Sequence, residues 1–136
     1  MQWNKLKKQL DSRVSHSLKR RVVFHSTSYR GTHDQVGKAW ITFDNEMIQD
    51  FCTINRENKR ITLATGIHNQ YEFYYAVEEY LGLSINEALA STNPIIRALS
   101  ILDRRLGKRR LISIRDDHPI VNKLLIIRIL VEYLEP

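Results

Sequence analysis

Five basic side chains fall within seven positions from Arg104 to Arg110, in the stretch Leu102-Asp103-Arg104-Arg105-Leu106-Gly107-Lys108-Arg109-Arg110-Leu111. Guanidinium forks bind phosphate or carboxylate through paired N–H donors. Arg97 stands seven residues before Arg104, two helical turns back on the same face. Arg97, Arg104, Arg105, Lys108, Arg109 and Arg110 are therefore the candidate anion-binding residues. The competing reading is architectural: bases at a helix C-terminus complement its dipole and pair with an acidic neighbour, here the helix of residues 71–81. The stretch is not a Walker loop, because the upstream glycine and the downstream Ser or Thr are both absent.

A second constellation lies upstream. Tyr71, Phe73, Tyr74, Tyr75 and Tyr80 place five aromatic side chains in ten positions, more than one buried helical face can hold. Some must face outward. Tyrosine is enriched at protein interfaces because it buries area at little entropic cost. With Glu78 and Glu79 beside them, Tyr71, Tyr74 and Tyr75 form the candidate partner-binding surface, suited to a basic protein. In the alternative reading the rings fill the gap between helix and sheet and point their hydroxyls to water. Four glutamates and no base between residues 71 and 92 would repel a nucleic-acid backbone from this surface.

Catalytic chemistry finds little support. His33 and Asp34, between Gly31 and Gly37, could present an imidazole and a carboxylate, and they define a third reading as an enzyme. Sequence neighbours seldom face each other, and turn chemistry explains the pair more simply. Cys52, the one cysteine, has no partner motif, and His16, His25 and His68 have no ligand spacing. His118 reads as a helix-start residue before Pro119. No catalytic residue, metal site or cofactor is assigned.

These residues must be positioned by an α+β scaffold. Trp3, Leu6, Leu10, Val14 and Leu18 recur at steps of three or four, the stripe of an amphipathic N-terminal helix. From Val22 the period becomes two and predicts a strand through Tyr29. Lys38–Phe43 alternates again, Asp44-Asn45 suits a tight turn, and Met47–Ile54 returns as the second arm of a hairpin. Ile61–Leu63 is a candidate fourth strand, so the antiparallel sheet has three to four. The C-terminal half reads as helical: Tyr71–Leu81 stopped at Gly82, a capping box at Ser84 and Glu87 opening a helix to Ala90, and Asn93-Pro94 opening one that runs to Gly107. Leu111–Ile114 is read as a strand or extended connection. His118-Pro119 opens a last helix, apolar nearly all round from Ile120 to Leu134, which predicts a central core element in a monomer, with a homodimer as the alternative.

Residues 1–136 suit a single domain, and 43% hydrophobic with 26% charged residues is ordinary for a globular chain. A lone cysteine fits a reducing cytoplasm, and neither a signal peptide nor a membrane-spanning run is expected. The net charge of +6 is unevenly spread. Residues 1–21 and 93–115 each carry seven bases against one acid, while 71–92 is acidic, so internal neutralisation competes with any external anion.

At Met1–Lys7, Lys38–Thr42, Phe51–Thr53 and Asn93-Pro94 through Leu111, the chain resembles a family of small uncharacterised bacterial single-domain proteins. The resemblance covers nearly the whole chain, and Leu-Asp-Arg-Arg-x-Gly-Lys-Arg is its most distinctive part. It implies no activity. Small single-domain proteins of this kind are associated with toxin neutralisation. The expectation is a non-enzymatic interaction protein, specifically a toxin-neutralising (immunity) protein, with a protein partner on the helix of residues 71–81. The alternative is a nucleic-acid-binding domain using the basic segments 5–21 and 104–110.

Overall fold

A computed structural model describes residues 3–27, 38–52 and 70–135. Helix α1 spans Trp3–Arg13, followed by a 3-10 turn at His16–Leu18. The Trp3 to Leu18 stripe outlasts this helix. Val14 leaves it to bridge Asp103, and Leu18, fully buried, belongs to the turn.

Among the described residues the sheet has three antiparallel strands in sequence order: β1 Val22–Thr27, β2 Lys38–Phe43 and β3 Glu46–Cys52. Asp44 and Asn45 take φ of 50° and 71°, the left-handed pair that a two-residue hairpin turn needs. Alternation places Val22, Phe24, Ala39, Ile41 and Phe51 on the buried face. Pairing shifts between Ile41, opposite Gln49, and Thr42, opposite Met47, so β3 bulges at Ile48. Lys123 Nζ donates to the Ile48 carbonyl at 2.7 Å. The predicted fourth strand at Ile61–Leu63 lies outside the described residues.

The helical half comprises α2 Gln70–Leu81, α3 Ile85–Leu89, α4 Pro94–Ile101, α5 Lys108–Leu111 and α6 Pro119–Ile129, the last prolonged by a π-helical turn at Leu130–Leu134. Their starts follow from capping. The Ser84–Glu87 box is formed in both directions, and Asn93 Oδ1 accepts from the Ile95 N–H at 2.9 Å. His118 Nδ1 accepts from the Ile120 N–H at 3.3 Å. Phe51 of the sheet stacks on Phe73 of α2 at 4.6 Å between ring centroids. Behind α2 lie Ile95, Ile96 and Leu99 of α4, and behind those Leu124 of α6, all buried. The chain is thus an α+β fold with an N-terminal helix, an antiparallel sheet and a helical C-terminal half.

Three expectations are corrected. The helix opening at Asn93 ends at Ile101, not Gly107, because Leu102 to Leu106 turn to meet the end of α1. Leu111 closes the short helix α5, so Leu111–Ile114 contains no strand. The last helix is covered on one side only. Ile120, Val121, Leu124, Leu125, Arg128 and Val131 are buried, while Ile126, Leu130 and Leu134 are 58%, 45% and 71% exposed.

Candidate functional site

Helix α2 sorts its aromatic side chains by direction. Phe73 and Tyr80 are buried, whereas Tyr71 and Tyr75, one turn apart, are 61% and 65% exposed. Glu78 and Glu79 continue the exposed face over the next turn. Tyr74 departs from this set. It is half-buried, its hydroxyl is hydrogen-bonded to Ser26 Oγ, and its ring lies 5.7 Å from that of Trp3. Of the predicted partner-binding residues, the structure brings together Tyr71, Tyr75, Glu78 and Glu79 and turns Tyr74 toward the sheet.

Gln70 fixes the start of this helix, and sequence reasoning missed it. Nearly buried, its amide donates to the carbonyls of Thr27 at 2.8 Å and Lys38 at 3.2 Å, which face each other at the end of the β1–β2 ladder. It also reaches Ser26 Oγ and Tyr74 Oη. At the other end of α2, Arg13 of α1 donates to the carbonyls of Tyr80 at 3.2 Å and Leu81 at 2.7 Å, which a helix C-terminus otherwise leaves open.

The bases of the stretch are held by separate partners. Directly before them stands an acid, Asp103, which is fully buried. Asp103 accepts from the Tyr80 hydroxyl, from the Arg105 backbone N–H at 2.8 Å and from Arg105 Nη2 at 2.8 Å. Burial alone would push Asp103 up, but the Arg105 guanidinium and the Tyr80 hydroxyl hold it below the usual carboxylate range. Burial and the bond to Asp103 push the Tyr80 phenol up. Arg105 donates further to the Leu83 carbonyl at 3.0 Å.

The remaining bases disperse. Arg104 donates its backbone N–H to Arg13 O at 2.7 Å and its Nε to Ser12 O at 3.1 Å. Lys108 lies over the Tyr133 ring at 4.6 Å. Arg97 pairs with Asp116 at 2.8 Å, and Arg110 donates to Asn86 Oδ1 at 2.6 Å. Arg109 is exposed.

Arg128, a lone base between the leucines and isoleucines of the last helix, is 2% exposed beneath this stretch. It donates to the carbonyls of Ile101 at 2.7 Å, Asp103 at 3.0 Å and Leu106 at 2.6 Å. Burial pulls its guanidinium down from the ordinary arginine value. Glu132, one turn on, lies 3.6 Å from Arg128 Nε and accepts from Ser17 Oγ at 2.6 Å. Its two terminal nitrogens are met by carbonyls that tie α6 to the 101–106 segment, while the buried Nε makes no hydrogen bond and has Glu132 at ion-pair distance.

A different basic surface opens between α1 and β1. Lys7, Lys8, Lys19 and Arg20 line a groove of about 470 Å³ with Ser12, Val14 and Val23. Lys7 is paired with Asp11 at 2.8 Å, and Arg20 takes a φ of 70°. Because Arg104 bonds to Ser12 O, one base of the 104–110 segment stands beside this groove.

His33, Asp34 and His68 lie outside the described residues. Among the described residues no group of three His, Cys, Asp or Glu is placed to hold a metal ion. No described helix is long and apolar enough to cross a membrane.

Residues 2–62 and 53–129 match the SF0329 protein family. No curated protein and no solved structure matches the chain.

Proposed function

The chain belongs to the SF0329 protein family, and from that starting point we propose that it is a non-enzymatic interaction protein whose α2 face engages a basic protein partner, as a toxin-neutralising protein would. The observation that carries this reading is the outward pair Tyr71 and Tyr75, more than 60% exposed each, flanked by exposed Glu78 and Glu79. Two large rings held on a helix bury area at little further entropic cost, and the adjacent carboxylates select a positive surface. The net charge of +6 opposes a basic partner at long range, so the reading rests on the local acidity of this face, four glutamates and no base between residues 71 and 92. The helix is anchored at both ends by Gln70 and Arg13, so the face is presented rigidly.

The test is co-purification of the full chain from its host, with the quadruple variant Tyr71→Ala/Tyr75→Ala/Glu78→Lys/Glu79→Lys as control. A stoichiometric protein lost in the variant, whose toxicity the wild-type chain suppresses on co-expression, is the expected result. Retention of the same partner by the variant overturns the assignment to α2.

A second reading, nucleic-acid binding, is supported by the groove of Lys7, Lys8, Lys19 and Arg20 with Arg104 beside it. This surface is built from the basic segment 5–21 of that reading, with Arg104 joining it from the segment 104–110. About four phosphate contacts imply roughly a hundredfold loss of affinity between about 50 and 200 mM salt. Undetectable binding of mixed DNA and RNA at low salt, or affinity insensitive to salt, removes it.

A further inference from the structure

Arg97 of α4, Arg110 of α5 and Arg115 of the following loop line one depression of about 300 Å³, with Asp116 and an apolar wall that includes Ile101 and Val121. The three guanidinium groups differ in how they are neutralised. Arg97 has a carboxylate, Asp116 at 2.8 Å, and this pair is largely shielded from solvent, with side chains 23% and 12% exposed. Arg110 is held by a neutral acceptor, Asn86 Oδ1 at 2.6 Å. Arg115 is held by two more, the carbonyls of Ile112 and Ile114, each at 2.9 Å from its Nη1. Arg110 and Arg115 are therefore positioned by hydrogen bonds to neutral acceptors, with no carboxylate paired to either among the described residues, and one carboxylate serves three cations in the lining.

We infer that this depression binds a small organic anion, a phosphate or carboxylate group carried on a compact apolar body. An anion seated there supplies the missing countercharge and accepts charge-assisted bonds from forks that are already fixed, so little side-chain entropy remains to be lost. The apolar wall receives the body of the molecule. The volume lies at the small end of the range for ligand pockets, about 300–1,000 Å³, which suits a single-ring ligand. The site is independent of the α2 surface and of the groove between α1 and β1, with which it shares no residue.

The experiment is a titration of the full chain with inorganic phosphate, phenyl phosphate and benzoate, followed by calorimetry and by the arginine Nε–Hε resonances. Phenyl phosphate or benzoate binding with a dissociation constant below about 1 mM, and more tightly than inorganic phosphate, is expected, with shifts at Arg97, Arg110 and Arg115. The tighter of the two organic probes identifies the headgroup. Arg110→Gln/Arg115→Gln weakens binding at least about tenfold, and Arg115→Lys, which keeps the charge and loses the fork, weakens it as well. Circular dichroism and Tm verify that both variants fold. Absence of binding by both organic probes up to about 10 mM, or unchanged affinity in the folded double variant, overturns the assignment.

Discussion

The Tyr80 hydroxyl donates to Asp103 Oδ2, and neither residue is more than 1% exposed. One end of α2 is thereby tied to the turn after α4, the same turn whose backbone carbonyls Arg128 holds from the opposite side.

Removing the phenolic donor leaves a buried carboxylate short of one bond. Tyr80→Phe should cost about 1–3 kcal/mol in urea unfolding, and Asp103→Ala, which strands Arg105 and Tyr80 together, about 3–5 kcal/mol. An Asp103→Ala variant as stable as wild type would show that the network is not structural.

Stability should fall in acid. Burial opposes ionisation of Asp103, Asp116 and Glu132, but Arg105 with Tyr80, Arg97 with the His118 N–H, and Ser17 with Arg128 hold the three below their ordinary values. The unfolded chain therefore binds more protons than the folded one in acid. Their contribution is complete above the unfolded carboxylate pKa of about 4 and is lost as pH drops through the lower folded values. Urea midpoints measured from neutrality down to about pH 2.5 should decline most steeply in this window, after a smaller decline that starts below about pH 6.5 because burial and Lys7 hold the His25 imidazole below its ordinary value, and Asp103→Asn should flatten the steep part.

The last helix should respond to substitution by face. Leu124→Ala, at a fully buried site, should cost about 2–5 kcal/mol, whereas Ile126→Ala and Leu130→Ala should stay within about 0.5 kcal/mol. Light scattering should give the 16.0 kDa monomer mass. The exposed stripe of Ile126, Leu130, Tyr133 and Leu134 is four partly exposed side chains, well short of the roughly 800 Å² per partner that a stable interface buries. A dimer dissociated by Leu130→Glu would show that the stripe suffices.

Neighbouring tyrosines on α2 should separate cleanly. Tyr71→Ala and Tyr75→Ala should leave Tm unchanged while weakening binding of the proposed partner, and Tyr74→Phe should lower stability by about 1 kcal/mol through its lost bonds to Ser26 and Gln70. Equal Tm losses at all three positions would contradict the exposed placement of Tyr71 and Tyr75.

Local signals in the chain predict local structure well. The two-residue period finds β1 and β2, the Asp44-Asn45 turn places β3 after them, and Ser84, Asn93 and His118 mark the starts of their helices because a cap acts within three residues of itself. Long-range partners have no such signature. Arg105 and Arg110 look alike in sequence, yet one clamps a buried carboxylate two residues away and the other reaches Asn86 on α3. Arg128 sits among leucines and isoleucines like a solvated interruption. Its burial follows from acceptors 22 to 27 residues upstream, which periodicity cannot register. Composition identified the aromatic surplus on α2, and the helical spacing of Tyr71 and Tyr75 with Glu78 was legible. That Tyr74 turns inward depended on Ser26 and Trp3, far away in the chain.

The carbonyls that Arg128 occupies belong to segments that leave the ribosome before Arg128 itself does. A nascent chain that has emerged through α4 and α5 holds the acceptors of Ile101, Asp103 and Leu106 without their donor, and it acquires closure only once α6 has followed. Assembly of this half is therefore ordered in time: the 101–106 turn waits for a later residue. Chains stalled short of residue 128 should be cut by protease within the 101–111 segment, and chains stalled far enough beyond it to free α6 should resist.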